Sequence, residues 1–294
     1  MDYVGMFLDY IQYERRVSSH TLVAYKTDLE QYVSFLFSQN RSVEQATFRD
    51  VRSWLIALME EKKSARTINR KIAALKAFYR LLIRNKYVEI SPMDKIISPK
   101  QTKRLTHFVT EQAMETLFEQ LEFPDSFEGK RDRAILELFY ATGIRLSELM
   151  QVKKSDLDFY AGTIRIFGKR KKERIIPITP QIVTLLRDYI ENLEKEFGFI
   201  DYNKNIFVTN KGKPVYPELV YRIVRKYLDA VTTIDKRSPH VIRHTFATHL
   251  LDNDADLLAI KELLGHSSLA ATQVYTHTSV EKIKKTYKQA HPRA

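Results

Sequence analysis

SPHVIRHTFATHLL, residues 238–251, is the most informative stretch of this 294-residue chain. Ser238 can cap a helix, and Pro239 suits its first turn because the ring presets φ. Phe246, Leu250 and Leu251 supply apolar anchors. His240 and Arg243 are three residues apart and share a helix face, with His244 four after His240. A histidine pair at that spacing raises zinc, but no glutamate follows His240 as in H-E-x-x-H. No third ligand is evident, and Arg243 would repel a cation. An imidazole beside a guanidinium suits an anion such as a phosphodiester. The bland alternative, structural histidines on a capped helix, stays open here.

Downstream, ELLGHSSLAATQVYTHTS (262–279) places Gly265 at a helix end, His266 in the turn and Tyr275 nine residues on. The pattern from Pro239 is helical to the end of the chain. Upstream, ATGIRLSEL (141–149) puts Gly143 at a helix C-terminus, where glycine takes the left-handed position cheaply. Arg145 then falls at a corner, either as a functional cation or as a surface arginine paired with Glu148. TIRIFGKRKKERIIPI (163–178) reads as a β-hairpin. Its tip carries Gly168, Lys169, Arg170, Lys171 and Lys172, a polar turn or a cationic arm for phosphate in which a lysine can donate a proton. IFVT (206–209) reads as another short strand. Helices are expected near 110–121, 130–142, 180–196 and 217–231.

Residues 1–95 are helical in pattern. Leu22, Tyr25, Leu29, Tyr32, Val33 and Leu36 follow the 3.6 period behind Ser18 and Ser19. Thr47 and Asp50 have capping-box spacing, ahead of Val51, Trp54, Leu55 and Leu58. Ser64 opens a fourth helix with Ile68, Ile72, Leu75, Phe78, Tyr79 and Leu82. Four amphipathic helices make a small bundle. Arg66, Arg70, Lys71, Lys76, Arg80 and Arg84 give the fourth helix a basic exterior. Arg66, Arg70 and Lys76 have no acid nearby in sequence, which makes them candidates for DNA-backbone contact. SPMDKIISPKQTKRLTH (91–107) has two prolines, four basic residues and little periodicity, a linker signature. The division expected is a helical domain over 1–95, a linker over 96–107 and an α+β domain over 108–294. The fold class is mainly α with a small β component.

The formal charge is +12, from 48 Lys+Arg against 36 Asp+Glu, which attracts a polyanion. With no cysteine, disulfides, thiolate nucleophiles and sulfur-ligated zinc are excluded. No run of about 18 apolar residues marks a membrane span. The first residues lack a signal peptide's basic n-region and apolar core, so the cytoplasm is expected.

The order of the candidates carries more than any one of them: an arginine, a hairpin lysine, H-x-x-R, LGH, then a tyrosine. The set suits phosphoryl transfer without metal. Two arginines can clamp non-bridging oxygens, histidines complete the shell, and a lysine can protonate the leaving oxygen. A tyrosine hydroxyl can attack and later leave.

TGIRLSEL (142–149), HVIRHTFATHLL (240–251) and LGHSSLAATQVYTH (264–277) resemble three ordered boxes of the tyrosine site-specific recombinases, the phage integrase family, closest to the Xer group. The resemblance implies a SAM-like core-binding domain before a tyrosine-recombinase catalytic domain. It implies that Tyr275 attacks the scissile phosphate to form a 3′-phosphotyrosyl bond. Arg145 and Arg243 would hold the phosphate oxygens, His240 and His266 assist, and Lys169 protonate the 5′-oxygen. Neither cofactor, metal nor ATP is implied. The hairpin departs from the family's GKGxKER, since Arg170 stands at the second glycine. Lys171 and Lys172 therefore stay open as the acid and, with Arg170, as DNA contacts.

The implied partner is duplex DNA with a short inverted-repeat core site. Two such sites would be held by a homotetramer, or by a heterotetramer with a second recombinase, under a DNA translocase of the FtsK type. The C-terminal stretch 279–294, with Lys282, Lys284, Lys285 and Lys288, would dock on a neighbouring protomer. The helical domain starts within a few residues of Met1, which favours Xer-type chromosome-dimer resolution at a dif-like site over integration of a mobile element. A type IB topoisomerase, a catalytically idle DNA-binding protein and an RNA-binding protein are the rivals.

Overall fold

The computed structural model describes residues 2–100, 108–168, 173–198, 201–265, 287 and 289–293. The chain forms two compact units, Met1–Arg104 and Leu105–Ala294. Among the described residues no helix is long and apolar enough to cross a membrane.

The first unit has the four expected helices: α1 (Tyr3–Asp9), α2 (Ser19–Ser38), α3 (Phe48–Glu60) and α4 (Ala65–Arg84). The caps form as the sequence indicates. Ser18 and Ser64 each accept a backbone N–H three residues on, at 3.2 Å. The Thr47 N–H donates to Asp50 at 2.8 Å. Phe7, Leu29, Tyr32, Trp54, Leu75, Phe78 and Tyr79 fill the core. Tyr79 donates its hydroxyl to the Val43 carbonyl at 3.2 Å and receives that of Tyr32 at 3.0 Å, so neither buried phenol is left without a partner.

Two cations of α4 differ from their sequence reading. Arg70 does have an acid, Asp28, one helix away in space though distant in sequence. Lys71 is not on the exterior. It is buried, donates to Asp28 at 2.8 Å and to Gln31, and lies 5.5 Å from the Trp54 ring centre. Asp28 is itself fully buried, and two cations offset its desolvation. Arg66 is exposed and has no ion pair among the described residues. Lys76 donates to the Ile96 carbonyl at 3.3 Å.

The second unit is built around α6 (Phe127–Thr142). Every residue from Ala134 to Thr142 is buried, because the helix is covered on all sides. Before it comes α5 (Glu111–Glu115), which runs into a π-helical turn at Thr116–Gln120. After it come α7 (Leu146–Leu149), β1 (Leu157–Asp158), β2 (Thr163–Phe167), β3 (Glu173–Pro177), α8 (Pro180–Phe197), α9 (Pro217–Asp229), α10 (Pro239–Asp252) and α11 (Leu257–Leu264). α6 packs against α8 and α10. The expected hairpin is β2–β3, antiparallel, with Ile164 opposite Ile176 and Ile166 opposite Arg174. β1 adds a third strand beside β2.

Residues 206–209 do not form the expected strand. Ile206 and Phe207 are buried, but the backbone there makes only isolated bridges. The Thr209 N–H closes a tight turn onto the Lys213 carbonyl at 2.6 Å, with Gly212 at φ +69°. That turn leaves no length for a ladder. The helical pattern after Pro239 is broken between α10 and α11, where Asp254 takes φ +58° and Asp256 caps α11 by accepting the Leu258 N–H at 3.2 Å.

The described residues of the 279–294 stretch pack on their own unit. Tyr287 and His291 are buried and stacked, 4.9 Å between ring centres. His291 Nδ1 accepts the Arg293 N–H at 3.1 Å, so Nε2 carries the proton donated to the Tyr140 carbonyl at 3.1 Å. Burial lowers the His291 pKa to about 4, and the ring is neutral at physiological pH. Arg293 pairs with Glu119 at 2.9 Å and Glu137 at 3.4 Å. Lys282, Lys284, Lys285 and Lys288 lie outside the described residues.

Gly143 ends α6 in the left-handed conformation, φ +58°. A Cβ there would lie 2.4 Å from Phe246 Cδ1 and 3.0 Å from Leu264 Cδ2. Glycine thus lets α6, α10 and α11 meet at one corner. Gly143→Ala is expected to cost about 2–4 kcal/mol from left-handed strain and overpacking. Far-UV circular dichroism during urea unfolding would measure it. Trp54, the only tryptophan, lies in the other unit's core, and its fluorescence transition should stay in place.

Asp28→Ala removes the carboxylate that compensates buried Lys71. A loss of about 3–5 kcal/mol is expected for the first unit. Trp54 fluorescence in the same titration is the readout, and a loss under 1 kcal/mol would mean that Lys71 escapes to solvent.

Candidate active site

Arg145 is the N-cap residue of α7. Its backbone N–H donates to Glu148 Oε2 and its Nη1 to Glu148 Oε1, both at 2.8 Å. This is the pairing foreseen as the bland alternative, but Glu148 is buried and the pair is not a surface pair. Arg174, on β3, faces the same carboxylate side-on, with Nη1 at 3.1 Å from Oε1 and Nη2 at 2.7 Å from Oε2. Four N–H donors therefore fill the four lone-pair positions of Glu148. Burial alone would raise the Glu148 pKa. Hydrogen bonds and charge from Arg174, then Arg145, outweigh it and hold the pKa below its ordinary value.

Arg243 sits one turn into α10. Its Nη1 donates to the Gly143 carbonyl at 2.6 Å and its Nη2 to the Leu264 carbonyl at 2.7 Å. The C-terminal carbonyls of an α-helix have no partner within it, and their dipoles attract cations. Here three consecutive carbonyls at the end of α11 each receive an arginine. Leu263 takes Arg174 Nε at 2.7 Å, Leu264 takes Arg243, and Gly265 takes Arg145 Nη2 at 3.4 Å. Burial first, then repulsion from Arg145 and Arg174, lowers the Arg243 pKa to about 10, so it stays a cation at neutral pH.

Two guanidinium groups bond the carboxylate and a third, Arg243, joins them through the end of α11, which leaves a formal surplus of two positive charges at the corner. Arg145 keeps about a third of its side-chain surface exposed, and Arg243 is half-buried. Arg174 is buried. The open side of the cluster is therefore edged by Arg145 and Arg243. Guanidinium groups held in this way suit a tetrahedral oxyanion, because their donors are in place before it arrives.

Of the sequence candidates, the fold brings Arg145 and Arg243 together. His240 lies on the same face of α10, one turn before Arg243, and is exposed. Lys169, Arg170, Lys171, Lys172, His266 and Tyr275 lie outside the described residues. Among the described residues no group of three or more His, Cys, Asp or Glu side chains is arranged to hold a metal ion.

Sequence reasoning missed Arg174. Its signal is the period of β3: Arg174 and Ile176 are buried while Glu173 is exposed, so a charged residue occupies the core face of a strand. The histidine at 249 is a structural one. Its Nδ1 accepts the Tyr140 hydroxyl and its Nε2 donates to the Val109 carbonyl, both at 2.9 Å.

A profile of the phage integrase family matches residues 103–282, and one of the phage integrase N-terminal SAM-like domain matches residues 4–86. Tyrosine recombinase XerC of Bacillus subtilis (strain 168) is 37% identical over 297 residues, covering 100% of this chain and 97% of the relative. XerC of Chlorobaculum parvum is 36% identical over 315 residues, covering 98% and 94%. Among solved structures, the Tn1549 transposon integrase in complex with transposon right end DNA superposes with a TM-score of 0.75 at 21% identity, covering 97% of this chain and 99% of that one. The XerH site-specific recombinase bound to palindromic difH substrate gives 0.72 at 20%, covering 96% and 93%. Both share the fold.

Because the folded pKa of Glu148 is depressed, its ionisation contributes stability above the ordinary carboxyl value of 4.5. That contribution is lost as pH falls through the lower folded value. Urea unfolding at stepped pH should show a weaker acid loss, beginning below 4.5, in Glu148→Gln than in the parent. An unchanged acid slope would mean that Glu148 is not held by the arginines.

Proposed function

We propose that this chain, which belongs to the phage integrase family and is a tyrosine recombinase, resolves chromosome dimers at a short site of two inverted half-sites. The enzyme cleaves and rejoins DNA. The observation that carries the reading is the convergence of Arg145 and Arg243 on one cationic corner, where a scissile phosphate gains charge in its transition state. Tyr275 Oη gives up its proton to the His240 and His266 pair as it attacks phosphorus, and the bond to the 5′-oxygen breaks. Lys169 gives that oxygen a proton, leaving a 5′-hydroxyl and a 3′-phosphotyrosyl bond. Attack by a 5′-hydroxyl on the phosphotyrosine reverses each step. The bond energy stays in the phosphotyrosine, so rejoining needs no nucleoside triphosphate.

His240 and His266 complete the donors around the phosphate. Arg66, Arg70, Lys76 and the cationic hairpin tip 169–172 contact the duplex backbone, consistent with the net charge of +12. For Arg70 this means sharing its guanidinium with Asp28. Each recombination exchanges four strands and each chain offers one Tyr275, so four protomers act on two duplexes. The reaction belongs in the cytoplasm, where the chromosome is. A DNA translocase of the FtsK type fits as the activator of dimer resolution. The XerC relatives, matched over 94% and 97% of their length, support the assignment to chromosome dimers.

Lysis of the source cells in SDS, recovery of this protein and sequencing of attached DNA tests the reading. One dominant sequence in the chromosome terminus, absent from Tyr275→Phe, is expected. A junction at a mobile element would replace dimer resolution with integration. Attached DNA without sequence preference would point to a topoisomerase. Attachment that persists in Tyr275→Phe would remove the nucleophile assignment.

A further inference from the structure

Arg174 is a buried cation that the chemistry above does not use. It stands on the core face of β3, opposite Ile166 and two residues before Ile176. An aliphatic side chain would fill that place at lower desolvation cost, since a buried ion pair gains little over well-packed apolar groups. All three of its nitrogens are engaged: Nη1 and Nη2 on Glu148, Nε on the Leu263 carbonyl. It also packs under the turn that follows α11, where a Cβ on Gly265 would lie 3.1 Å from its Nη1. Arg174 therefore joins three parts of the corner: the hairpin strand, the carboxylate that holds Arg145, and the helix end that holds Arg145 and Arg243.

We propose that Arg174 is a positioning residue for strand cleavage: it locks Glu148, and through Glu148 it aims Arg145 at the scissile phosphate. Without it, two of the four donors on Glu148 vanish. The carboxylate then turns to pair more fully with Arg145, which is the only other side chain bonded to it among the described residues. Arg145 would then follow its counter-ion instead of meeting the phosphate. The end of α11 would lose its bond to β3 but keep its bond to Arg243, so the loss falls on Arg145. The planar fork of a guanidinium suits this double task. An ammonium can supply the charge but not two parallel bonds and a third in the same plane.

The inference rests on Arg145 acting on the phosphate, as proposed above. The test is single-turnover cleavage of a nicked duplex carrying the sequence to which the parent chain attaches, read as SDS-stable adduct. Duplex affinity by gel shift and thermal melting are measured beside it. Arg174→Gln is expected to slow cleavage by about 10- to 100-fold, the usual range for a group that orients a reacting one, with duplex affinity unchanged. Arg174→Lys should not restore the rate. Arg145→Ala combined with Arg174→Gln should cleave no slower than Arg145→Ala alone, because both act through one contact. A merely structural role would give losses that multiply. Multiplying losses, or a folded Arg174→Gln or Arg174→Lys that cleaves at the parent rate, would overturn the inference. If Arg174→Gln melts below the assay temperature, the same cycle on Arg174→Lys decides. If Arg145→Ala itself cleaves at the parent rate, the role given to Arg145 fails first and this inference falls with it.

Discussion

One buried carboxylate organises the site. Glu148 accepts two bonds from Arg145, one from its side chain and one from its backbone, and two from Arg174. Without that negative charge, Arg145, Arg174 and Arg243 would stand as like charges at one corner, where burial and then mutual repulsion already lower the Arg243 pKa. With it, the cluster is held together and still carries surplus positive charge toward its open side. The fold provides the remaining compensation through main chain alone. The carbonyls of Gly143, Leu263, Leu264 and Gly265 accept four further arginine N–H bonds. Helix C-termini normally need such partners. The need of two helix ends for donors thereby orients the three cations.

That arrangement explains the two glycines. Gly143 and Gly265 both have positive φ, and each ends a helix whose last carbonyls face the arginines. Gly143 also admits Phe246 from α10, and Gly265 admits Arg174 from β3. Close approach at these points brings α6, α10, α11 and the hairpin strand together at one corner. The preorganised donors need little rearrangement as charge develops, which is where electrostatic catalysis gains most.

Much of this was legible in the sequence because it is written in local patterns. The caps at Ser18, Thr47 and Ser64, the helix stop at Gly143 and the alternation of β2 and β3 depend on neighbours in the chain. Arg145 was singled out by its place beside a glycine and Arg243 by its place on the helix behind Ser238 and Pro239; Ser238 stands at the N-cap position, but its side chain makes no capping bond. What escaped depends on partners far away in sequence. Arg70 and Lys71 meet Asp28 across 42 and 43 residues, so an exposed basic face could not be told from a partly buried ion cluster. The Arg174 partner Glu148 lies 26 residues away, and its other acceptor 89. The apolar run at 206–209 signalled burial correctly but not pairing, because burial and ladder formation are separate demands on the same residues.

The most direct test of this account is a crystal structure of the Tyr275→Phe chain on duplex DNA carrying its target. The account predicts one scissile phosphate with non-bridging oxygens within about 3 Å of both Arg145 and Arg243. Arg174 should remain side-on to Glu148 in that complex. A phosphate seated away from this corner, or Arg174 released from Glu148 to bind the DNA, would contradict it.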